Sequence, residues 1–331
     1  MITLLVSLLV DDIISGDFEC PDSSLIKPCF CIYDSINCGG NHDIDLVKIF
    51  ETLSKHLTET KSGKRFNGFH LNNTFITELK ENTFSDITFG GINIENCHSL
   101  RSIHENAFSK ADLVVENFNL VNNTMLSWKN TSIFKILSKF HQIQTIELSY
   151  NNNIHEIPPN AFENNLAKLE QLLIFKPGSL TKLGGHAFSK LTALRMLHIL
   201  QTSIDLIPER AFEFNEVSKQ SLTLYLGFNK LLNSSRFARH SLERFKRPTK
   251  IQFIYAGDSI FGYLDEKIFQ PFLKANPENQ IASYIGFLDC NDCRNSWLKK
   301  NHELIKQVIH LPCTNQKKIN DSSSFANCQG K

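Results

Sequence analysis

The residues of this 331-residue chain best suited to chemistry are its nine cysteines, and eight of them fall into two clusters. Cys20, Cys29, Cys31 and Cys38 lie near one end, Cys290, Cys293, Cys313 and Cys328 near the other, and Cys97 stands alone between them. Such clusters suit either disulfide staples or a thiolate metal site. Cys290-x2-Cys293 is half of a zinc motif, but no second CxxC and no HxxxH completes it. An oxidising compartment turns the same thiols into disulfides. Cys29 and Cys31 are too close in sequence to pair comfortably, so crossed pairing, Cys20–Cys31 with Cys29–Cys38, is expected of the first cluster. Four cysteines allow three connectivities, and the spacing of the second cluster selects none of them.

Other chemistry is absent from the sequence pattern. There is no HExxH, GxSxG, P-loop or dinucleotide fingerprint. His155-Glu156 is followed by Pro158 and Pro159, which break any helix able to present a zinc-binding pair. The chain therefore reads as non-enzymatic, with no cofactor and no metal expected. Thirty-five Lys+Arg against 34 Asp+Glu leave a net charge of +1, too little field to draw the chain to nucleic acid or an anionic membrane. The apolar run Ile2–Val10 is far shorter than the ~20 residues of a membrane span. It has the size of a signal-peptide core, and Ser15-Gly16 supplies small residues for cleavage. Secretion follows as the expectation, with residues 1–16 as signal peptide.

The elements that separate the cysteine clusters are repeats. A phrase ending in phenylalanine recurs as ITELKENTF at Phe84, RSIHENAF at Phe108, IHEIPPNAF at Phe162, LTKLGGHAF at Phe188 and IDLIPERAF at Phe212. Phe134 sits inside the one double-length gap, and Phe245 and Phe269 continue the series. Between these lies an apolar-x-apolar pair followed three positions on by a small or polar residue. It runs Phe69/Leu71/Thr74, Ile92/Ile94/Cys97, Phe118/Leu120/Asn123, Ile146/Leu148/Asn151, Leu172/Ile174/Pro177, Leu197/Ile199/Thr202, Leu224/Leu226/Asn229 and Phe253/Tyr255/Asp258. This fits LxxLxLxxN, the leucine-rich repeat, whose units span about 20–29 residues.

Physics explains the pattern. In a short parallel strand the two apolar residues share one face and are buried. The terminal Asn turns inward and satisfies backbone groups at the bend. Cys97 occupies that inner position, which gives the lone thiol a structural role. The phenylalanines fill the convex side, and stacked coils share one core. The expected architecture is an α/β solenoid, a leucine-rich-repeat horseshoe with a parallel concave sheet of about 8–9 coils and disulfide-stapled caps. Its parts are an N-terminal cysteine cap and helix over 17–66, repeats over 67–286 and a C-terminal cysteine cap over 287–331. The helix is predicted from Ile44, Val47, Phe50, Leu53 and Leu57 at helical spacing.

The leader, the CFC-containing cap, the helix IDLVKIFETLSKHL and the phrases FHLNNTFITELKENTF and SLRSIHENAF resemble the secreted leucine-rich-repeat proteins of arthropods, over about Asp17 to Cys328. That resemblance implies a non-enzymatic, secreted binding or accessory protein, since the family includes a non-catalytic subunit that works beside a separate catalytic polypeptide. By analogy with related C-terminal caps, Cys290 pairs with Cys313 and Cys293 with Cys328. Related caps usually place one residue, not two, between the first two of these cysteines.

In a horseshoe, the residues flanking the inward pair face the concave surface. The first half of that surface is polar, with His70, Asn93, Glu95, Asn117, Asn119, Thr145 and Glu147. The second half brings Leu173, Phe175, Met196, His198, Leu200, Tyr225, Gln252 and Ile254. Phe175, Leu200 and Tyr225, with His198 and Ile254, are the candidate partner-binding patch, because contiguous exposed apolar surface marks contact sites. The basic stretch Arg236, Arg239, Arg244, Lys246, Arg247 and Lys250 is a second candidate, for an acidic glycan or partner. Asn72, Asn122, Asn130, Asn233 and Asn320 are glycosylation candidates, and Asn72 is expected on the concave face. The function expected is that of an extracellular protein binding a protein ligand through its concave sheet. The alternatives are an accessory subunit stabilising a secreted enzyme and a soluble receptor-like ectodomain.

Overall fold

The computed structural model describes residues 20–331 apart from 109–113, 128–132, 153, 163–165, 215–219, 230–233, 244, 255–259, 286, 315–316, 320, 322–323 and 329–331. The expected signal peptide, Tyr255, Asp258, Arg244, Asn130, Asn233 and Asn320 lie outside the described residues.

Among the described residues twelve strands form one sheet in simple sequence order. They are β1 (Phe30–Ile32), β2 (Ser35–Gly40), β3 (Arg65–Asn73), β4 (Thr88–Glu95), β5 (Asn117–Val121) and β6 (Thr145–Ser149), then β7 (Gln171–Phe175), β8 (Met196–Leu200), β9 (Leu222–Gly227), β10 (Thr249–Ile254), β11 (Gln280–Ile285) and β12 (Val308–Ile309). Among the described residues of this sheet only the β1–β2 hairpin is antiparallel; every later pairing is parallel. Strictly sequential parallel strands require each connection to return over the same side, which is the solenoid expected from the repeats.

Side-chain alternation along each strand sorts the two faces. In β7, Leu172 and Ile174 are buried while Leu173 and Phe175 are half-buried. β8 and β9 repeat this. The phenylalanines stack along the convex side: Phe84 on Phe108 with centroids 5.1 Å apart, Phe162 on Phe188 at 5.9 Å, and Phe188 on Phe212 at 5.7 Å. Each buried ring stabilises the fold by roughly 1.5–3 kcal/mol of transfer free energy. The double-length gap is bridged from α2 (Ile133–Leu137) and the turn after it. Phe140 contacts Phe108 at 5.9 Å and Phe134 meets Phe162 edge-on at 5.4 Å.

A ladder of inner side chains ties the strand ends together. Asn123 donates to Ile94 O and Val121 O and accepts from the Cys97 amide; Asn151 accepts from the Asn123 amide and donates to Leu120 O. Cys97 is buried in this ladder, its thiol donating to Leu71 O and Glu95 O. Just before each rung the chain turns left-handed, at Asn96, Asn122, Tyr150, Lys176, Gln201 and Phe228. That conformation is costly without glycine. At each of these positions the amide donates to a carbonyl of the following coil, as Tyr150 does to Phe175 O at 2.9 Å.

Two rungs differ from the sequence expectation. In the first coil Asn73, not Thr74, is the buried rung, accepting from the Phe75 and Ile76 amides and donating to His42 O. The expected pair Phe253/Tyr255 is in fact Ile251/Phe253, since Leu224 aligns with Ile251 and Leu226 with Phe253. The slip is two residues, a full strand period, so it leaves the assignment of faces intact.

Both ends are covered. The disulfides are Cys20–Cys31 and Cys29–Cys38 in one cap and Cys290–Cys313 and Cys293–Cys328 in the other. Cys290 and Cys293 therefore belong to separate bridges, which removes the zinc alternative. Helix α1 (Leu46–Glu59) starts at Asp45, whose carboxylate accepts from the Lys48 amide. It buries Leu46, Ile49, Phe50, Leu53 and Leu57 over the first coils, while Val47 stays half-exposed. Phe50 packs against Phe69, Phe84 and Phe89 at 5.0–5.8 Å.

Candidate functional site

Strand register arranges the concave face in rows. One row runs Ser149, Phe175, Leu200, Gly227, Ile254; the next runs Glu147, Leu173, His198, Tyr225, Gln252; a third runs Thr145, Gln171, Met196, Thr223, Lys250. All five candidate patch residues thus fall in two adjacent rows on one face. Phe175, His198, Leu200, Tyr225 and Ile254 are each half-buried, neither core nor free. Gln252 departs from expectation: it lies on this face but is buried, with Tyr225 and Ala282 beside it in register.

A glycine leaves room at the centre of the patch. A Cβ on Gly227 would lie 2.9 Å from Leu200 Cδ2 and 3.0 Å from Ile254 Cβ. Because Gly227 carries none, the two aliphatic chains approach over the buried glycine, and Phe175 stands beside Leu200 in the same row. In the neighbouring row the His198 imidazole stacks on the Tyr225 ring with centroids 4.2 Å apart. Burial pushes the His198 pKa below its usual value, so at neutral pH the imidazole adds no charge to this surface.

Sequence reading missed Tyr150. It follows Ser149 at the lip of the sheet, exposed, and its ring meets Phe175 edge-on at 5.0 Å with Lys176 Nζ 5.5 Å from its centroid. The signal lay one position beyond the strand, at the recurring left-handed residue, where the apolar-x-apolar pattern does not reach.

The basic stretch does not form a single surface. Arg236, Arg239 and Lys246 are exposed and Lys250 points into the concave face. Arg247 is buried, 2% exposed. Its guanidinium donates to the carbonyls of Gln220, Thr192 and Leu194 and lies 5.5 Å from the Phe214 centroid. Burial lowers its pKa to about 10. It clamps neighbouring turns of the solenoid, a role the charge run concealed.

Asn72 is exposed on the concave face of β3, as expected. Asn122 is half-buried and donates its side-chain amide to Asn96 Oδ1 at 2.7 Å. Among the described residues no group of three or more His, Cys, Asp or Glu side chains could hold a metal ion, and no helix is long and apolar enough to cross a membrane.

Comparison with known proteins gives the geometry its context. A sequence model of the BspA type leucine rich repeat region matches residues 61–165 and 137–266, in six copies. The chain is 23% identical to the Oplophorus-luciferin 2-monooxygenase non-catalytic subunit of Oplophorus gracilirostris, over 92% of this chain and 86% of that protein. Among solved structures, human 5T4 (Wnt-activated inhibitory factor 1, trophoblast glycoprotein) matches with 13% identity and a TM-score of 0.35, covering 92% of this chain and 95% of that one.

Proposed function

We propose, from the premise that this chain belongs to the BspA-type leucine-rich-repeat family, that it is a secreted, non-enzymatic protein that docks another protein on the C-terminal half of its concave sheet. The observation that carries this is the approach of Leu200 and Ile254 to Gly227, in the row where Phe175 stands beside Leu200 in register. The solenoid packs without a run of apolar side chains on this outward face: further up the sheet the row of His198 holds Glu147, Asn119 and Asn93, and the row of Phe175 holds Ser149, Val121 and Glu95. Leu173, Met196 and the His198–Tyr225 stack widen it into an anchor surface of the kind that supplies binding energy when covered. A glycan on the exposed Asn72 would leave the polar half occupied and the apolar half clear. Secretion agrees with four disulfides, which persist in oxidising compartments.

The similarity to a non-catalytic subunit favours one further reading, that the docked protein is an enzyme which this chain stabilises. Co-expression separates the two: a partner that persists only with this chain supports the accessory role, and reversible capture without effect on partner stability supports simple recognition. The direct test is affinity capture from the native extracellular fluid by the parent protein and by a Phe175→Ser/Leu200→Ser/Tyr225→Ser variant. Loss of the captured partner by an equally folded variant is expected; equal capture by both would place docking elsewhere.

A further inference from the structure

The N-terminal hairpin presents a feature that partner docking on the far half of the sheet does not use. Strand β1 has one partner among the described residues, β2, so its outer edge is free. Its side chains on the concave side are Phe30, opposite Asn37, and Ile32, opposite Ser35; they are 51% and 50% exposed. The strand continues into Tyr33, 90% exposed. Proteins usually blunt such an edge with charge, proline or a bulge. Here Phe30, Cys31, Ile32 and Tyr33 carry no charge at all.

The hairpin also holds Tyr33 out at some cost. Tyr33 and Asp34 both have positive φ, 48° and 56°, the two-residue turn that normally takes Asn-Gly. A left-handed tyrosine is strained, and the turn is pinned by the Asn67 amide donating to Asp34 O at 2.9 Å. Fixing a bulky aromatic ring in that conformation and leaving it in solvent gains nothing for the isolated chain.

We propose that this edge joins two copies of the chain, β1 pairing antiparallel with β1 of the second copy across a two-fold axis near Cys31. The turn residues make Ile32 and Ser35 a hydrogen-bonded pair, and by alternation Phe30 and Asn37 another, so the Cys31 amide and carbonyl point outward. Two such edges meeting about Cys31 set Phe30 of one copy against Ile32 of the other, an aromatic–aliphatic cross-strand pair made twice. The strand is bounded by Lys27 before it and Asp34 after it. Antiparallel pairing therefore brings unlike charges together at both ends, whereas parallel pairing would bring like charges together. The two concave sheets become one continuous sheet.

The test is sedimentation equilibrium of the full secreted protein over a wide concentration range, with Ile32→Lys and Phe30→Ser alongside. A parent dimer is expected, with Ile32→Lys raising its dissociation constant about a hundredfold, because each copy contributes a lysine to the junction. A parent that stays monomeric throughout, or a dimer indifferent to both substitutions, would overturn the proposal. Hydrogen exchange on the unaltered protein covers the case in which a variant misfolds. The Cys31 amide should become protected as concentration rises through the dissociation constant, and a Cys31 amide equally exposed in monomer and dimer would also overturn it.

Discussion

The imidazole of His198 lies on the phenol ring of Tyr225, centroids 4.2 Å apart and planes inclined by 30°. Both rings project from adjacent strands into the same row. Beside His198 stand Leu173 across the sheet and Met196 and Leu200 along its own strand, none of them charged. Desolvation in this setting lowers the imidazole pKa.

That environment should give the proposed docking a pH dependence. A depressed folded-state pKa means stability that is complete above the unfolded value of about 6.5 and lost as pH falls through the folded value. Covering the ring with a partner deepens the desolvation and keeps the same sign, so affinity should fall as pH drops through the already lowered His198 pKa of the free folded protein. His198→Phe retains the stack without the titration. Binding isotherms across that range should be pH-dependent for the parent and flat for the variant; identical profiles would show that His198 is not the group involved.

The inner ladder should dominate stability. Asn229 is buried, accepts from the Thr202 amide at 2.8 Å and hydroxyl at 2.9 Å, and donates to Ile199 O at 2.8 Å. Asn229→Ala leaves buried groups unpaired and should cost about 2–4 kcal/mol in chemical denaturation. Asn117→Ala, on the exposed concave face, should change stability by less than about 0.5 kcal/mol.

Arg247 should behave as a structural residue. Arg247→Ala removes three hydrogen bonds to backbone carbonyls and the packing on Phe214, a loss of about 2–4 kcal/mol. Arg247→Lys should recover only part of it, because an ammonium cannot span the carbonyls of Gln220, Thr192 and Leu194 as the planar fork does. Equal stability of parent and alanine variant in urea would refute the clamp.

Cys97 should be chemically silent in the folded protein. Burial raises its pKa to about 11, and the thiolate is the reactive form. Maleimide at neutral pH should label no thiol in the native protein and a single thiol after unfolding without reductant, since the other eight cysteines are paired.

Much of this structure was legible because coil stacking repeats one physical solution. The L-x-L pairs locate strands β4 to β9, and the inward polar rung accounts for Cys97 from the sequence alone. Legibility failed where a coil departs from its neighbours. Asn73 displaced Thr74 because the first coil closes its bend one residue early, against the cap at His42. At β10 the pattern Ile251-x-Phe253-x-Tyr255 offered two equivalent pairs, and only pairing with Leu224 and Leu226 chooses between them. Arg247 was hidden because a charge run shows no burial, and Tyr150 because its position lies beyond the strand. The patch was readable as a face, but the notch at Gly227 depends on neighbours from two other coils.

The most direct measurement of the proposed docking surface is the affinity of a captured partner for Leu200→Glu and, in parallel, Glu147→Lys. Leu200 approaches Gly227 at the centre of the apolar row, whereas Glu147 marks where the polar half begins. With both variants shown to be folded by their melting transitions, the expected result is a loss of at least about a hundredfold for Leu200→Glu and little change for Glu147→Lys. Unchanged affinity for Leu200→Glu would contradict docking on the C-terminal half of the concave sheet.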